Sequence, residues 1–445
     1  MENTIQSLLQ KNRITIRGIM VGFIILLLMI PVLNVSSLVQ ERSMRQQEVS
    51  REISSKWAGR QTINGPVLVL PYLELSPQKM MERKLAYFLP DELHVNAEVK
   101  PQIRRRSIYE IVVYQSEIKM TGTFGKPDIQ HLNLTDDHIL WDEAFINLGL
   151  TDFRGIEDQI MMTWDGDRKD SIAQRLTFEV GAAGNDFISN GLKVSMPYKQ
   201  LQHETHAFDL TMRLRGSENL SFIPSGKTTL VNMTSSWPHP SFTGSFLPSD
   251  QARISATGFN AHWKILDLNR NFPQAFKDTK YDLNNTAFGV NFLRGSDLYS
   301  KTSRSIKYAF LFIALTLALY FFIDIFQKKQ VHAFQYVLIG LALCIFYTLL
   351  LSISEYINFD LAYLIASTAI ILMVTAYTLS VFGSRRIAAL FSGVMILLYG
   401  FIYVMIQLQD WALLLGSIFL FVVLGLVMYY SKKINWKDQE GLEQE

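Results

Sequence analysis

Six apolar segments constrain this 445-residue chain more than any other feature. Each is about 20 residues long, the length an α-helix needs to cross a hydrocarbon layer of roughly 30 Å. One lies near the start, at 18–39. The other five follow one another with little between them, at 306–326, 333–353, 359–382, 387–407 and 411–430. A long polar interval separates the first from the rest, so the pattern predicts a multi-pass membrane protein with a large domain inserted after its first span.

Short loops rich in Lys and Arg resist translocation, and this sets orientation. Lys11, Arg13 and Arg17 precede the first span. Lys328 and Lys329, Arg385 and Arg386, and the tail residues Lys432 and Lys433 then alternate with two loops, 354–358 and 408–410, that hold no Lys or Arg. The expected topology places 1–17 and 431–445 in the cytoplasm and exports 40–305. A cleaved signal peptide is the competing reading of the first segment, with Val35-Ser36-Ser37 as the cleavage site. The long basic lead and the apolar continuation to Val39 favour a retained anchor.

The net charge of +2 selects no nucleic-acid partner. Cys344, the only cysteine, falls inside a span, so the exported part has neither a disulfide nor a thiolate site for metal. Its stability must come from its own core, and roughly 265 residues suffice for one large β domain or two small ones. Val67-Leu68-Val69-Leu70, bracketed by Gly65-Pro66 and Pro71, reads as a buried strand. Phe208, Leu210, Met212 and Leu214 alternate with polar residues, as a half-buried strand requires. Other strands are predicted at 85–89, 93–99, 107–123, 176–180, 192–196, 228–234, 253–260 and 262–268, with an inserted helix within 141–162.

Motifs that bear chemistry are weak. Ser225-Gly226-Lys227-Thr228 resembles the end of a phosphate loop, but Ser221 stands where that loop needs glycine, so a polar turn is the expectation. His203 and His206 are three apart on a strand-like segment rather than on a helix, which favours surface histidines over a zinc pair. Catalytic, cofactor and metal residues are therefore expected to be none. In the spans, Asp324, Glu355, Asp360 and Asp410 sit at the ends rather than at the midplane, where a coupled carrier would place a carboxylate. Gly393 and Gly400 would notch one helix face for close packing. Arg304 and Lys307 precede the second span and are candidates for contact with lipid head groups or with Glu355, Asp360 and Asp410.

Several strings are similar to one family. They include Gln61-Thr62-Ile63-Asn64-Gly65-Pro66-Val67, Trp237-Pro238-His239-Pro240, Leu268-Asn269-Arg270-Asn271-Phe272-Pro273-Gln274, Gly289-Val290, Arg304-Ser305-Ile306-Lys307-Tyr308 and Gln407-Leu408-Gln409-Asp410-Trp411. Together they resemble the CreD family of bacterial inner-membrane proteins along essentially the whole chain. Ser107 departs from the pattern where glycine is expected, as does Gly295-Ser296-Asp297 where a Pro-Val-Asp turn is usual. The resemblance implies a role in cell-envelope integrity linked to β-lactam and colicin sensitivity, with no enzymatic activity.

The combined expectation is a mixed membrane protein: an N-terminal transmembrane helix, a large β-rich periplasmic domain and a C-terminal five-helix bundle. Its partners would be the lipid bilayer and a periplasmic or membrane-protein ligand, without cofactor. A lipid or small-molecule transporter and, more remotely, a periplasmic hydrolase are the rival functions.

Overall fold

The computed structural model describes residues 13–77, 79–165, 174–181, 191–196, 201, 203–249, 252–277, 281–292, 297–327, 331–408 and 411–431. Gln47–Gly295 forms one compact unit, and the residues through Gln46 and from Ser296 form another. Lys11, Lys328, Lys329, Asp410, Lys432 and Lys433 lie outside the described residues, as does the side chain of Arg13.

Helix α1 runs without interruption over Arg13–Trp57. Among the described residues, the other α-helices are α2 (Asp297–Lys307), α3 (Ala309–Gln327), α4 (Ala333–Ser354), α5 (Phe359–Phe382), α6 (Arg385–Gln407) and α7 (Ala412–Ser431). Six of these are long and apolar enough to cross a membrane, the exception being α2. The second span thus starts at Ala309 rather than Ile306, because the residues before it form the separate, amphipathic α2. Asn358 starts α5 by accepting a bond from the Leu361 amide, and Gly383 ends it at φ +67°, a backbone conformation that suits glycine.

The middle unit is β-rich. Its strands are β1 (Gln61–Leu75), β2 (Met81–Phe88), β3 (Glu92–Arg106), β4 (Tyr109–Gly125), β5 (Phe145–Leu150), β6 (Met161–Trp164), β7 (Gln174–Thr177), β8 (Glu179–Val180) and β9 (Gly191–Ser195). They continue as β10 (Thr205–Ser217), β11 (Asn219–Phe222), β12 (Thr228–Ser235), β13 (Ser241–Gly244), β14 (Arg253–Ser255), β15 (Gly258–Leu266), β16 (Ala275–Lys277) and β17 (Phe288–Asn291). One sheet has the order β13-β17-β11-β1-β5-β9-β8, with β2 also paired to β1 and β16 paired to β2, and the other has the order β14-β15-β12-β3-β4-β10-β6-β7.

A single apolar core joins the inner faces of the two sheets. Leu68, Leu70 and Tyr72 of β1 meet Leu93, Val95 and Ala97 of β3 and the predicted alternating set Phe208, Leu210, Met212 and Leu214 of β10. Val67 and Val69 point to the opposite face of β1, into a second cluster with Tyr87, Phe272 and Phe276. Burial on both faces explains why that stretch is continuously apolar.

Three local expectations are corrected. Residues 141–162 hold no α-helix: the short 3-10 turns Trp141–Glu143 and Phe153–Gly155 flank β5. The single strand expected over 253–260 is a hairpin, β14 to β15, with Gly258 at φ +140°. The strand expected from Ser107 starts at Tyr109, because Ser107 sits at φ +55° in the β3–β4 turn. The glycine expected there would adopt this backbone more easily than serine does.

Asp152 ties the end of α1 to this unit. Its carboxylate accepts from the Gly59 amide at 2.8 Å and pairs with Arg154 at 2.7 Å. The Arg154 guanidinium, helped by the Gly59 and Arg154 amides, holds the Asp152 carboxyl down to about 2. A depressed pKa contributes stability above the ordinary carboxylate value and loses it as pH falls toward about 2. Asp152→Asn is therefore expected to cost about 1 kcal/mol at pH 6, since Arg154 is well exposed, and about a third of that at pH 2.5. Thermal melts of both proteins at the two pH values check this; an equal gap at both would contradict it.

Candidate functional site

The first helix carries a stripe of buried residues, Val21, Ile24, Leu28, Val32, Val35 and Val39, at spacings of three and four. Ile19, Phe23, Leu26, Ile30 and Leu33 lie on the other side and are exposed. Leu28 seats where Gly340 of α4 has no side chain. A Cβ at Gly340 would approach Leu28 Cδ1 to 2.1 Å, and one turn on, Cys344 Sγ reaches the Leu28 carbonyl at 3.6 Å. Gly393 and Gly400, the expected notches, instead have open space where a side chain would be. Gly340 is the glycine that admits a neighbouring helix.

An ion pair secures each end of this contact. Arg17 Nη1 lies 3.6 Å from Asp324 Oδ2 of α3. Asp324 is only 1% exposed. It also accepts from the Tyr336 hydroxyl at 3.1 Å and from the Val331 amide at 3.3 Å. Burying a carboxylate is costly unless a cation and donors compensate it, and all are present here. The Tyr320 ring packs edge-on against Tyr336, Phe382 and Phe391 beside this cluster.

At the opposite end, Arg42 Nε lies 3.6 Å from Glu355 Oε1, and the Tyr299 hydroxyl of α2 donates to the same oxygen at 3.4 Å. Arg17 and Arg42 are about 25 residues apart, roughly 37 Å along a helix at 1.5 Å per residue. That length matches a hydrocarbon layer with part of its head-group zones. The pairs therefore fix α1 against sliding along the bundle.

Glu355, one of the carboxylates offered along with lipid head groups as contacts for Arg304 and Lys307, is engaged by Arg42 and Tyr299. Asp360 accepts from Gln407 Nε2 at 2.7 Å. Arg304 Nε reaches the Ser300 carbonyl at 3.4 Å, Lys307 is exposed, and Lys301 lies over the Phe359 ring at 5.6 Å. Arg385 and Arg386 open α6. Arg42 and Tyr299 went unrecognised as sequence candidates; the available signal was a second arginine one membrane thickness beyond Arg17.

Between the two ends the bundle is packed with rings. Phe346 meets Tyr399 at 4.8 Å and Tyr363 at 5.5 Å, Phe312 meets Tyr399 at 4.5 Å, and the Tyr363 hydroxyl donates to the Tyr399 carbonyl. Among the described residues, the carboxylates of the spans lie near helix ends and are partnered. Such a centre offers close packing rather than a charged relay.

In the β unit, His206 is buried, which corrects the expectation of a surface histidine. Its Nδ1 bonds Asp165 Oδ2 at 2.7 Å and its ring stacks on Trp164. No three His, Cys, Asp or Glu side chains converge as metal ligands among the described residues. Ser225-Gly226-Lys227-Thr228 is a packed turn in which the Gly226 amide donates to Thr229 Oγ1 and the Lys227 amide to the Pro90 carbonyl.

Six apolar helices, with a β-rich unit encoded between the first and the other five, define a mixed, multi-span membrane protein. The family model for the inner membrane protein CreD matches residues 13–437. Inner membrane protein CreD of Escherichia coli (strain K12) is 31% identical over 422 residues, covering 93% of this chain and 91% of that protein. The chain belongs to the CreD family and is a multi-pass inner-membrane protein.

Proposed function

We propose that this protein is a non-enzymatic factor supporting cell-envelope integrity, with both termini in the cytoplasm and the β-rich unit in the periplasm, where it binds a partner. The observation that carries this reading is helix α1. Its stripe and two ion pairs make it a fixed member of the bundle. Its last turns belong to the β unit, where Ser54 and Ser217 share a hydrogen bond of 2.8 Å and Arg104 and Arg215 lie over the Trp57 ring. One continuous helix thus contributes to both units, as suits a protein that presents a binding domain at the membrane. Family membership and the partnered carboxylates of the spans favour this over transport. Arg304 and Lys307 then serve as contacts to head groups, and the basic residues of the loops set topology.

The test combines topology with complementation. Reporter fusions after Gln330, Ser384 and Ser431 are expected to signal cytoplasm, and those within 60–300 or at Asn358 the exported side. In a strain lacking the protein, the wild-type gene should restore survival under β-lactam challenge. Arg42→Glu should restore it less well at equal abundance, with partial recovery on adding Glu355→Arg. A cytoplasmic signal from the β unit would overturn the topology. Absence of an envelope phenotype in the deletion strain would overturn the role.

A further inference from the structure

The outer face of the second sheet carries an ordered row of polar side chains that the core does not require. Strands β3 and β12 pair in parallel and β12 and β15 antiparallel, so residues fall into rungs. His94, Leu230 and Lys264 share one rung, and Asn96, Asn232 and His262 share the next. These six line a groove of about 520 Å³, a volume in the range of small-molecule sites. Ser249 forms its side wall. The Trp263 indole donates to the Phe246 carbonyl at 3.2 Å and the Ser249 amide to the His262 carbonyl at 2.8 Å, which holds that wall against β15.

The second rung has a defined polarity. Asn232 Nδ2 donates to Asn96 Oδ1 at 3.0 Å, which leaves Asn232 Oδ1 as the acceptor facing His262 Nδ1 at 2.6 Å. His262 must therefore carry a proton on Nδ1. In the neutral ring, Nε2 is then an acceptor at one end of the row, while the Asn96 amide remains a donor at the other. A hydroxyl group both donates and accepts, so a row that offers both functions suits adjacent hydroxyls. Lys264 is exposed on the neighbouring rung, has no ion pair among the described residues and is the fixed charge among the six, while the Glu92 carboxylate stands 3.8 Å from His94 Nε2. Strands β3 and β12 are paired along both edges, so an added peptide strand would find no free edge on them; β14 covers only Gly258–Asn260 of β15, and beyond it the Ser249 amide donates to the His262 carbonyl.

We propose that this groove binds an anionic oligosaccharide, its hydroxyls read by Asn96, Asn232 and His262 and its carboxylate by Lys264. The ligand class deepens the partner-binding role above and rests on the periplasmic placement of the β unit for its biological meaning. The binding itself does not depend on that placement.

The experiment is calorimetric titration of the purified full-length protein in detergent with two probes, a hyaluronan tetrasaccharide, which carries carboxylates, and neutral chitotetraose. The hyaluronan probe should bind, and chitotetraose at least tenfold more weakly. Asn232→Leu and Lys264→Gln should each weaken the hyaluronan probe at least tenfold, while Lys264→Arg retains binding. Unchanged thermal melts would show that both weakened variants remain folded. The proposal is overturned if neither saccharide binds at millimolar concentration, if the variants bind as the wild type does, or if a Glu-rich peptide binds more tightly than the tetrasaccharide. Failure here leaves the complementation result intact, and failure there leaves the titration intact.

Discussion

Replacing Arg17 with leucine is expected to destabilise the helix bundle by about 2–3 kcal/mol, and replacing Asp324 with leucine in the same chain should return part of that loss. The Asp324 side chain is fully buried while Arg17 is 24% exposed. Among the described residues, removing the arginine leaves the carboxylate with the Tyr336 hydroxyl and the Val331 amide. Removing both charges trades an uncompensated ion for apolar contact. The expected magnitude sits below that of a fully buried pair because Arg17 is partly open and the contact is 3.6 Å long. Thermal unfolding of the detergent-purified protein measures it. A double variant no more stable than Arg17→Leu would mean that Asp324 acts through Tyr336 and Val331 alone.

A larger effect is expected in the β unit from adding one methyl group. Gly289 of β17 lies opposite Ser221 of β11, and a Cβ there would stand 2.1 Å from the Leu220 carbonyl oxygen and 2.6 Å from Ser221 Cα. Both atoms are backbone, so no side-chain rotation relieves the clash and the two strands must separate. Gly289→Ala should cost at least about 3 kcal/mol, a loss of the size that overpacking reaches in a tight core. Limited proteolysis of the full chain should show rapid cutting in the β unit. Gly393→Ala, with open space at its Cβ, is the matched control and should leave the digestion unchanged. Equal resistance in both variants would contradict the assignment.

The legible parts of this molecule are those whose physics is local. Hydrocarbon thickness sets helix length, so the spans could be read from runs of apolar residues, and the period-two pattern of Phe208 to Leu214 marked a strand with one buried face. The rest depends on which distant elements meet. Strands β3 and β12 pair in parallel, yet nothing in either segment names the other. His206 read as a surface residue because its burial depends on Asp165 and Trp164, some 41 residues earlier in the case of Asp165. Asp324 was placed correctly at a span end, but its enclosure depends on Arg17 and Tyr336, which reach it from two other helices. Gly340 and Gly393 look alike in sequence, and only the arrival of Leu28 separates a seat from a gap.

The contact between Leu28 and Cys344 joins residues 316 apart in the chain. At ribosomal speeds of about 5–20 residues per second, roughly 15–60 s pass between synthesis of the two. Helix α1 must spend that interval without its partners, waiting in the bilayer while the whole β unit is made. Its stripe of Val, Ile and Leu is suited to the delay, since lipid tails solvate those side chains about as well as neighbouring helices do. The groups that would suffer from exposure to lipid, Arg17 and Arg42, lie at its ends, within reach of head groups and water. Assembly of the first span is thus late by chain order, and its register stays open until Asp324 and Glu355 have arrived.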